Sequence, residues 1–366
     1  MSASILVNEE LQPGPTPSPP RPVWGLAALG LVLAALATAL MVKAALMLRH
    51  YNHDGWVSTT VGILLVVLSL YAWVPAFRAM AAARERSALL AKDELVPARR
   101  MAASGREEAL ISMGWAAANV IIAGLLVFVL ANDGGVATTF FNLTDIKLSF
   151  SEVVHAFWTN IWVACVSEVL VLIFGLLVAI VRMLPGRAGA PLRAIAVVYC
   201  DVFRAIPAIV VIYLIVFGLP LTGVSFFQKM PTVWLGIIAL SLTYTAYVSE
   251  VYRAGLSSIH PSQSAAARSL GLSYVQTLRT VLVPQAVRRV IPPLLNDFIS
   301  LQKDTALLSV AAIAEALLVA KLWETQLFNL SPVTLVAFLF ILITIPQAWF
   351  VDYLIDRDAK RRAGGS

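Results

Sequence analysis

Long apolar stretches alternate with shorter polar segments along the chain, and eight of these stretches are long enough to cross a membrane. Roughly 20 apolar residues in helical conformation span a hydrocarbon core. The pattern therefore predicts an all-α polytopic membrane protein with about eight transmembrane helices. The predicted spans are residues 24–48, 56–77, 109–131, 153–183, 194–220, 232–256, 294–320 and 332–355.

The basic residues between these spans predict the orientation of the chain. Lysine and arginine are enriched in cytoplasmic loops. With eight spans, all four basic segments lie on one side of the membrane, and adding or losing one span would break this agreement. We therefore expect that side, together with both termini, to be cytoplasmic. The four segments are residues 78–108, 182–193, 253–289 and 357–362.

The composition agrees with an integral membrane protein. The chain is 59% hydrophobic and only 13% charged, whereas soluble domains average about 45–50% apolar and about 25% charged residues. The net charge of +6 follows from the loop lysines and arginines, so it does not indicate nucleic-acid binding.

Composition also divides the chain into regions. The proline-rich start cannot bury enough surface to fold. Ionisable residues inside the spans become frequent only after about residue 150. We predict a disordered tail at 1–22, an accessory N-terminal transmembrane region at 23–150 with a cytoplasmic linker at 78–108, a functional core at 151–357 and a basic tail at 358–366.

A polar loop within residues 249–309 carries unusually clear helix signals. Pro261 suits the first turn of a helix, where its missing N–H has no partner to lose. The alanines at 265–267 favour helix. Gly271 is expected to end this helix, because a left-handed cap is accessible without a Cβ atom.

A second helix is predicted to follow at once. Ser273 and Gln276 have the spacing of a capping box, and Pro284 is expected to limit the helix that they begin. A helix–glycine–helix elbow at the membrane surface is typical of an element on which another protein docks.

Polar side chains inside the C-terminal spans are candidates for a substrate path, because buried ionisable groups in membranes usually face a cavity or a partner. Glu168 is the deepest of them, and a purely structural role for it remains open. Asp201–Arg204 and Glu250–Arg253 have i,i+3 spacing and are predicted to form structural ion pairs. The path candidates are Asn160, Glu168, Asp297, Lys303, Asp304 and Thr305.

Enzyme chemistry is not indicated. The sequence has no G-x-x-x-x-G-K-[ST] loop for ATP, no H-E-x-x-H zinc pattern and no G-x-S-x-G nucleophile turn. The four histidines lack metal-ligand spacing, so we expect no metal site and no catalytic residue. Cys165 and Cys200 lie in apolar stretches and are interpreted as small packing residues.

The loop and three further stretches carry a family resemblance. Gly271, nine residues and then VLVP at 281–284 resemble the cytoplasmic "EAA" loop of ABC importer permeases. The other similar stretches are YCDVFRAIPAIVVIYLIVFGLP at 199–220, ALSLTYTAYVSEVYRAGLSSI at 239–259 and PQAVRRVIPPLLNDFISLQKDTALLSV at 284–310. The best match is the polar amino-acid permease family, and it covers about residues 150–357.

The resemblance implies a five-helix permease core and a set of partners. Such a permease lies in a bacterial cytoplasmic membrane and pairs with a second copy or a related permease. It binds a separate ABC ATPase, which holds ATP and Mg²⁺. An extracytoplasmic binding protein delivers its amino-acid substrate. Residues 261–270 would form the coupling helix. The residues expected to couple to the ATPase are Ser262, Ala265, Ala266, Ala267, Arg268, Gly271 and Pro284.

Two departures from the family pattern stand out. Ala265 occupies the place of the usual glutamate, and Ala205-Ile206 replace the usual Gly-Thr. The missing carboxylate puts the choice of ATPase partner in question. Two alternatives to the importer also remain: an ion-coupled secondary transporter that uses Glu168 or Asp304, and a membrane scaffold or sensor that uses the 78–108 segment.

Overall fold

The computed structural model describes residues 20–51, 55–184 and 186–363, and all regular structure among them is helical. Six helices are long and apolar enough to cross a membrane, and the number rises to eight if two bent helix pairs each count as one span. The prediction of an all-α polytopic membrane protein is therefore confirmed. The chain divides into two compact units, residues 1–138 and 139–366.

The N-terminal unit is a bundle of helices packed through small side chains. The buried positions of its first and fourth helices are mostly alanine, glycine and serine, which lets helix backbones approach closely in a membrane. Gly30 shows this approach, since a Cβ atom there would lie 3.5 Å from Ser112 Oγ. The helices are α1 (Trp24–Tyr51), α2 (Trp56–Ser69), α3 (Trp73–Leu90), α4 (Leu95–Val129) and α5 (Ala131–Phe141), which crosses the unit boundary.

The predicted linker at 78–108 is helical over most of its length. Helix α3 continues to Leu90, a short turn follows, and α4 begins at Leu95. Asp93 has φ 57° in this turn, a conformation that Asp tolerates better than most residues. Arg78 and Glu108 lie 3.7 Å apart across the hairpin.

The C-terminal unit is built around α11, which is buried along most of its length. Helix α6 packs closely against it at Gly175, where an added Cβ atom would lie 2.7 Å from Val248 Cγ1. The helices of the unit are α6 (Leu143–Arg182), α7 (Ala190–Ala205), α8 (Ala208–Tyr213), α9 (Leu219–Leu221), α10 (Ser225–Gln228), α11 (Thr232–Ser257), α12 (Pro261–Ser269), α13 (Tyr274–Thr277), α14 (Val283–Asp304), α15 (Ala316–Leu327) and α16 (Ser331–Ala363).

Two predicted spans are not continuous helices. The span at 194–220 bends by 106° between α7 and α8, because Pro207 has no N–H for the helical ladder and holds Ile206 in an extended conformation. The span at 294–320 bends by 51° before α15. There Ala312 is left-handed, with φ 54°, and Glu315 caps α15.

The expectation that Pro284 limits the second loop helix is wrong. Helical structure continues from α13 through a π-helical segment at Leu278–Leu282 into α14, and Pro284 lies in the first turn of α14. A π-turn absorbs the hydrogen bond that proline cannot donate. Pro292 and Pro293 also lie inside α14.

Candidate functional site

A cavity of about 390 Å³ lies at the bend between α7 and α8. The backbone on one side is the bend itself, at Ala205–Ala208, and the other walls come from α11 and α14. Its charged and polar lining is Arg204, Thr243, Tyr244, Tyr247, Asp297, Ser300 and Asp304. The bend therefore borders a polar cavity in the C-terminal unit.

Arg204 provides the positive charge of the cavity. It is the penultimate residue of α7, and the bend at Pro207 follows it within one turn. Its guanidinium carbon lies 5.8 Å from the centroid of the Tyr247 ring, a cation–π distance. The Tyr247 hydroxyl also donates a 3.4 Å hydrogen bond to the Arg204 carbonyl, so α11 orients this end of α7.

Two carboxylates from α14 provide the negative charge. Asp297 and Asp304 are two helical turns apart and therefore share one face of α14. The Tyr244 hydroxyl donates a 2.9 Å hydrogen bond to Asp304 Oδ2. Asp297 Oδ2, in contrast, is buried and has no hydrogen-bond partner among the described residues. Because both carboxylates line the same cavity, the cavity is suited to a ligand that donates hydrogen bonds.

The arrangement suits a small zwitterion chemically. A guanidinium binds a carboxylate in a planar, two-pronged geometry, and the Asp297 and Asp304 carboxylates can accept hydrogen bonds from an ammonium group. Metal chemistry has no comparable support, since no group of three or more His, Cys, Asp or Glu side chains converges within the described part of the chain.

Two of the predicted path residues belong to a buried network instead of the cavity. Asn160 Nδ2 donates to Thr305 Oγ1 at 3.0 Å and to Glu315 Oε2 at 2.9 Å, while Asn160 Oδ1 accepts from the Ala316 N–H. Glu315 also accepts from the N–H groups of Leu317 and Leu318. All three polar side chains are buried, and the network fixes the break before α15.

Glu168 and Lys303 also lie apart from the polar cavity. Glu168 borders an apolar groove of about 430 Å³ with Leu294 and Phe298, and its Oε2 has no hydrogen-bond partner among the described residues. Lys303 is exposed and does not line the cavity. The structure thus gathers only Asp297 and Asp304 from the predicted path candidates.

The sequence missed Arg204, Tyr244 and Tyr247 as cavity residues. Arg204 was expected to pair with Asp201, but no such ion pair occurs in the described structure, and Arg204 lines the cavity instead. The signal that could have found it is its position within one turn of Pro207. The predicted Glu250–Arg253 pair is confirmed, and Arg182 from α6 joins it through a 2.6 Å contact to Glu250.

The loop at 260–273 forms the predicted helix with both of its caps. His260 Nδ1 accepts a hydrogen bond from the Ser262 N–H at the start of α12. At the other end, the Leu272 N–H donates to the Ala267 carbonyl and the Gly271 N–H to the Arg268 carbonyl. This is a Schellman motif, and Gly271 has the left-handed φ of 81° that it requires.

The capping box at the following helix is also confirmed. The Ser273 N–H donates to Gln276 Oε1 at 2.9 Å, and the Gln276 N–H donates to Ser273 Oγ at 3.3 Å. Arg289 of α14 donates to the carbonyl and hydroxyl of Ser258. The loop is thereby tied to the end of α11 and to α14, which carries the cavity carboxylates.

The surface of α12 presents small apolar side chains and one basic side chain. Ala265, Ala266 and Arg268 are exposed, whereas Ala267 is buried. Leu270 follows the helix with 81% of its surface exposed. Leu270 was not among the coupling residues that the sequence predicted.

The C-terminal unit is an all-helical membrane bundle with a polar cavity at a helix break and an exposed short helix in a loop. These features are typical of a transport protein. Comparison with known families identifies it further. Residues 171–359 match the family described as "Binding-protein-dependent transport system inner membrane component", and the chain belongs to this family. It is a permease subunit of an ABC importer in a bacterial inner membrane, a family that works with ATPase and binding-protein partners.

Individual relatives agree with this assignment. The chain is 38% identical over 159 residues to the probable glutamine ABC transporter permease GlnP of Bacillus subtilis, covering 43% of this chain and 70% of the relative. It is 30% identical over 220 residues to the probable glutamine ABC transporter permease GlnM of the same organism, covering 60% and 99%. It is also similar to the crystal structure of an amino acid ABC transporter with histidines, with TM-score 0.54, 26% identity and coverage of 59% and 97%.

Proposed function

We propose that this permease imports a polar α-amino acid and holds it in the cavity between Arg204 and Asp297. The main supporting observation is that a guanidinium, from Arg204, and two carboxylates, from Asp297 and Asp304, line the same cavity. The names of the relatives, which concern glutamine and amino acids, support the same substrate class.

The carboxylate and ammonium groups that all α-amino acids share match the two charged walls of the cavity. Its carboxylate pairs with Arg204, and its ammonium donates to Asp297 and to the free side of Asp304. Thr243 and Ser300 provide neutral hydrogen-bonding groups, which suit an amide, hydroxyl or carboxyl side chain. The volume of about 390 Å³ lies in the range of small-molecule sites, about 300–1,000 Å³.

Energy for transport comes, in this proposal, from a separate ATPase that docks on α12. Exposed Ala265 and Ala266 allow close approach of a groove, Leu270 offers an apolar contact, and Arg268 offers a charge. Ser262 lies in the first turn of α12, and Gly271 ends the helix and sets its direction. Pro284 lies in the first turn of α14, through which movement reaches Asp297. Without a glutamate at Ala265, the ATPase contacts at that position are apolar.

The remaining assembly follows the same proposal. A second permease, identical or related, completes the transporter, and an extracytoplasmic binding protein delivers the amino acid. Both termini and α12 lie on the cytoplasmic side. ATP and Mg²⁺ bind to the ATPase and not to this chain. The accessory region at 23–150 and the tail at 358–366 lie outside the transport core.

A reconstituted transporter provides the test. The permease, its ATPase and its binding protein are placed in liposomes, and ATP-dependent uptake of labelled glutamine, glutamate, arginine and histidine is measured. Loss of a charge-assisted hydrogen bond removes about 1.5–3 kcal/mol, so Asp297→Asn is expected to reduce uptake of the preferred amino acid at least about tenfold.

Asp352→Asn is the matched control, since Asp352 is exposed on α16 and does not line the cavity. It should transport as the unaltered protein does. Equal uptake by the Asp297→Asn and Asp352→Asn variants would contradict the role of the cavity. Uptake that follows a proton or sodium gradient without ATP would instead favour a secondary transporter.

A further inference from the structure

The N-terminal unit contains a second cavity, of about 340 Å³, that the transport function does not use. It lies where the chain enters α1, against the early part of α4. Its lining includes two arginines, Arg21 and Arg106, and the apolar residues Val23, Leu26 and Ala103. A concave site with two guanidinium groups and an apolar floor is suited to an anion that carries hydrocarbon.

The segment that forms one wall is firmly held. Arg86 of α3 donates to the Pro20 carbonyl, and Trp24 Nε1 donates a 3.0 Å hydrogen bond to Ser87 Oγ. Val23 is buried against α4 at Gly105, where an added Cβ atom would lie 3.2 Å from Val23 Cγ1. The packing of the unit therefore fixes the position of Arg21 relative to α4.

Neither arginine of this cavity has a partner among the residues that the structure describes. Arg21 and Arg106 are exposed, and neither forms a hydrogen bond or ion pair within the described residues. Two ionic groups of the hairpin are engaged elsewhere, since Glu108 contacts Arg78 and Arg86 donates to the Pro20 carbonyl. Two unpaired guanidinium groups favour phosphate, whose oxygens accept hydrogen bonds from the planar arginine fork.

The residues around the cavity are typical of the level of the lipid headgroups. Trp24, the first residue of α1, is 40% exposed, and tryptophan is enriched at membrane–water interfaces. Arg106 is followed by Glu107 and Glu108, and the apolar part of α4 begins directly after them. Leu110, one helical turn beyond Arg106, is 53% exposed. Residues that are three or four apart share a helix face, so the cavity faces of the two helices continue through Leu29 and Leu110.

We propose that this cavity binds an anionic phospholipid, with its phosphate on Arg21 and Arg106 and an acyl chain along Leu29 and Leu110. Leu29 is 46% exposed, so both leucines are open to lipid. Basic pockets between transmembrane helices are known sites for anionic headgroups. Arg84, Arg99 and Arg100 lie at the same end of the α3–α4 hairpin, and their charge would raise the local concentration of such lipids. The site is independent of the amino-acid cavity.

Native mass spectrometry of the full chain in mild detergent tests the proposal. The protein is titrated with phosphatidylglycerol and, separately, with phosphatidylcholine of the same acyl chains. We expect one phosphatidylglycerol molecule to bind in preference to phosphatidylcholine. The double variant Arg21→Gln/Arg106→Gln is expected to reduce this binding at least tenfold.

Arg100→Gln is the matched control, because it removes a charge from the same helix outside the cavity. It should retain the bound lipid, and an equal loss in this variant would overturn the site in favour of general surface attraction. Size-exclusion profiles without added lipid establish that each variant is folded. A second titration uses inorganic phosphate alone. Thermal stabilisation by phosphate, with no preference for phosphatidylglycerol, would overturn the lipid assignment.

Discussion

At the scale of single residues, Gly271 has a conformational role that packing does not explain. An added Cβ atom would meet nothing within 4 Å, yet φ is 81°, where a non-glycine residue loses roughly 1–2 kcal/mol. Gly271→Val is expected to break the Schellman hydrogen bonds, redirect α12 and abolish amino-acid uptake without reducing membrane insertion.

Asn tolerates the left-handed conformation better than any β-branched residue, so Gly271→Asn is the control. Uptake should remain substantial in this variant and be lost in Gly271→Val, with insertion measured for both by membrane fractionation. If the Val variant transports normally, the orientation of α12 does not matter for coupling.

Residue-scale features were readable from the sequence where they depend on neighbours in the chain. The His260–Pro261 start, the Gly271 cap and the Ser273–Gln276 capping box all form as predicted. The cavity residues were only partly predicted, because a side chain's partners there come from other helices. Asp297 and Asp304 were among the candidates, whereas Arg204 was assigned to an ion pair with Asp201 and instead lines the cavity.

At the scale of helices, the contact between α11 and α14 depends on one small residue. A Cβ atom at Gly255 would lie 2.1 Å from Val290 Cγ1, but 3.5 Å from Val290 Cβ. Overpacking of this kind costs about 1–3 kcal/mol. Gly255→Ala is therefore expected to lower the thermal stability of the permease in detergent and to reduce uptake, since α14 carries both the loop contacts and the cavity carboxylates.

Val290→Ala removes the clashing methyl group and leaves an ordinary 3.5 Å contact. The double variant should therefore recover stability relative to Gly255→Ala, and the coupling energy of this double-mutant cycle measures the contact directly. Additive effects of the two substitutions would mean that Gly255 is needed for another reason. Gly114→Ala, which meets nothing within 4 Å, provides a neutral reference.

Helix-scale prediction succeeded for continuous spans and failed at the breaks. Hydrophobic length alone locates α1, α4, α11 and α16, because roughly 20 apolar residues in lipid have few alternatives to helix. The breaks near Pro207 and Glu315 are different, since their exposed backbone groups need partners from other helices. The Asn160–Glu315 network supplies such partners. No local sequence pattern predicts this network, because its members are distant in the chain.

At the scale of the whole molecule, the features expected for transport lie in one of the two units. The C-terminal unit, residues 139–366, contains the polar cavity, the α12 loop and the matched family region. A chain that starts at Thr139 keeps Asn142, which caps α6 and whose N–H donates to Ser331 Oγ at 2.8 Å. We expect this chain to insert and to support ATP-dependent uptake when the ATPase and binding protein are supplied.

A matched chain that starts at residue 151 lacks the Asn142 cap and the buried Ser149 and should insert less well. Comparing the two separates loss of the N-terminal unit from damage to α6. Normal insertion but no transport by the chain from Thr139 would bring the N-terminal unit into the transport mechanism.

The sequence by itself determined the features that depend on local chemistry. Apolar length specified an all-helical membrane protein, and the spacing of proline, alanine and glycine specified α12 with its caps. Tertiary structure alone decided which polar groups meet. Arg204, Tyr247 and Asp297 lie on three different helices, and they share a cavity only because α7 bends at Pro207 and packs against α11 and α14. Asn160 and Thr305, equally polar in sequence, are drawn into the buried Glu315 network, because the backbone at that break has to be satisfied from within the protein.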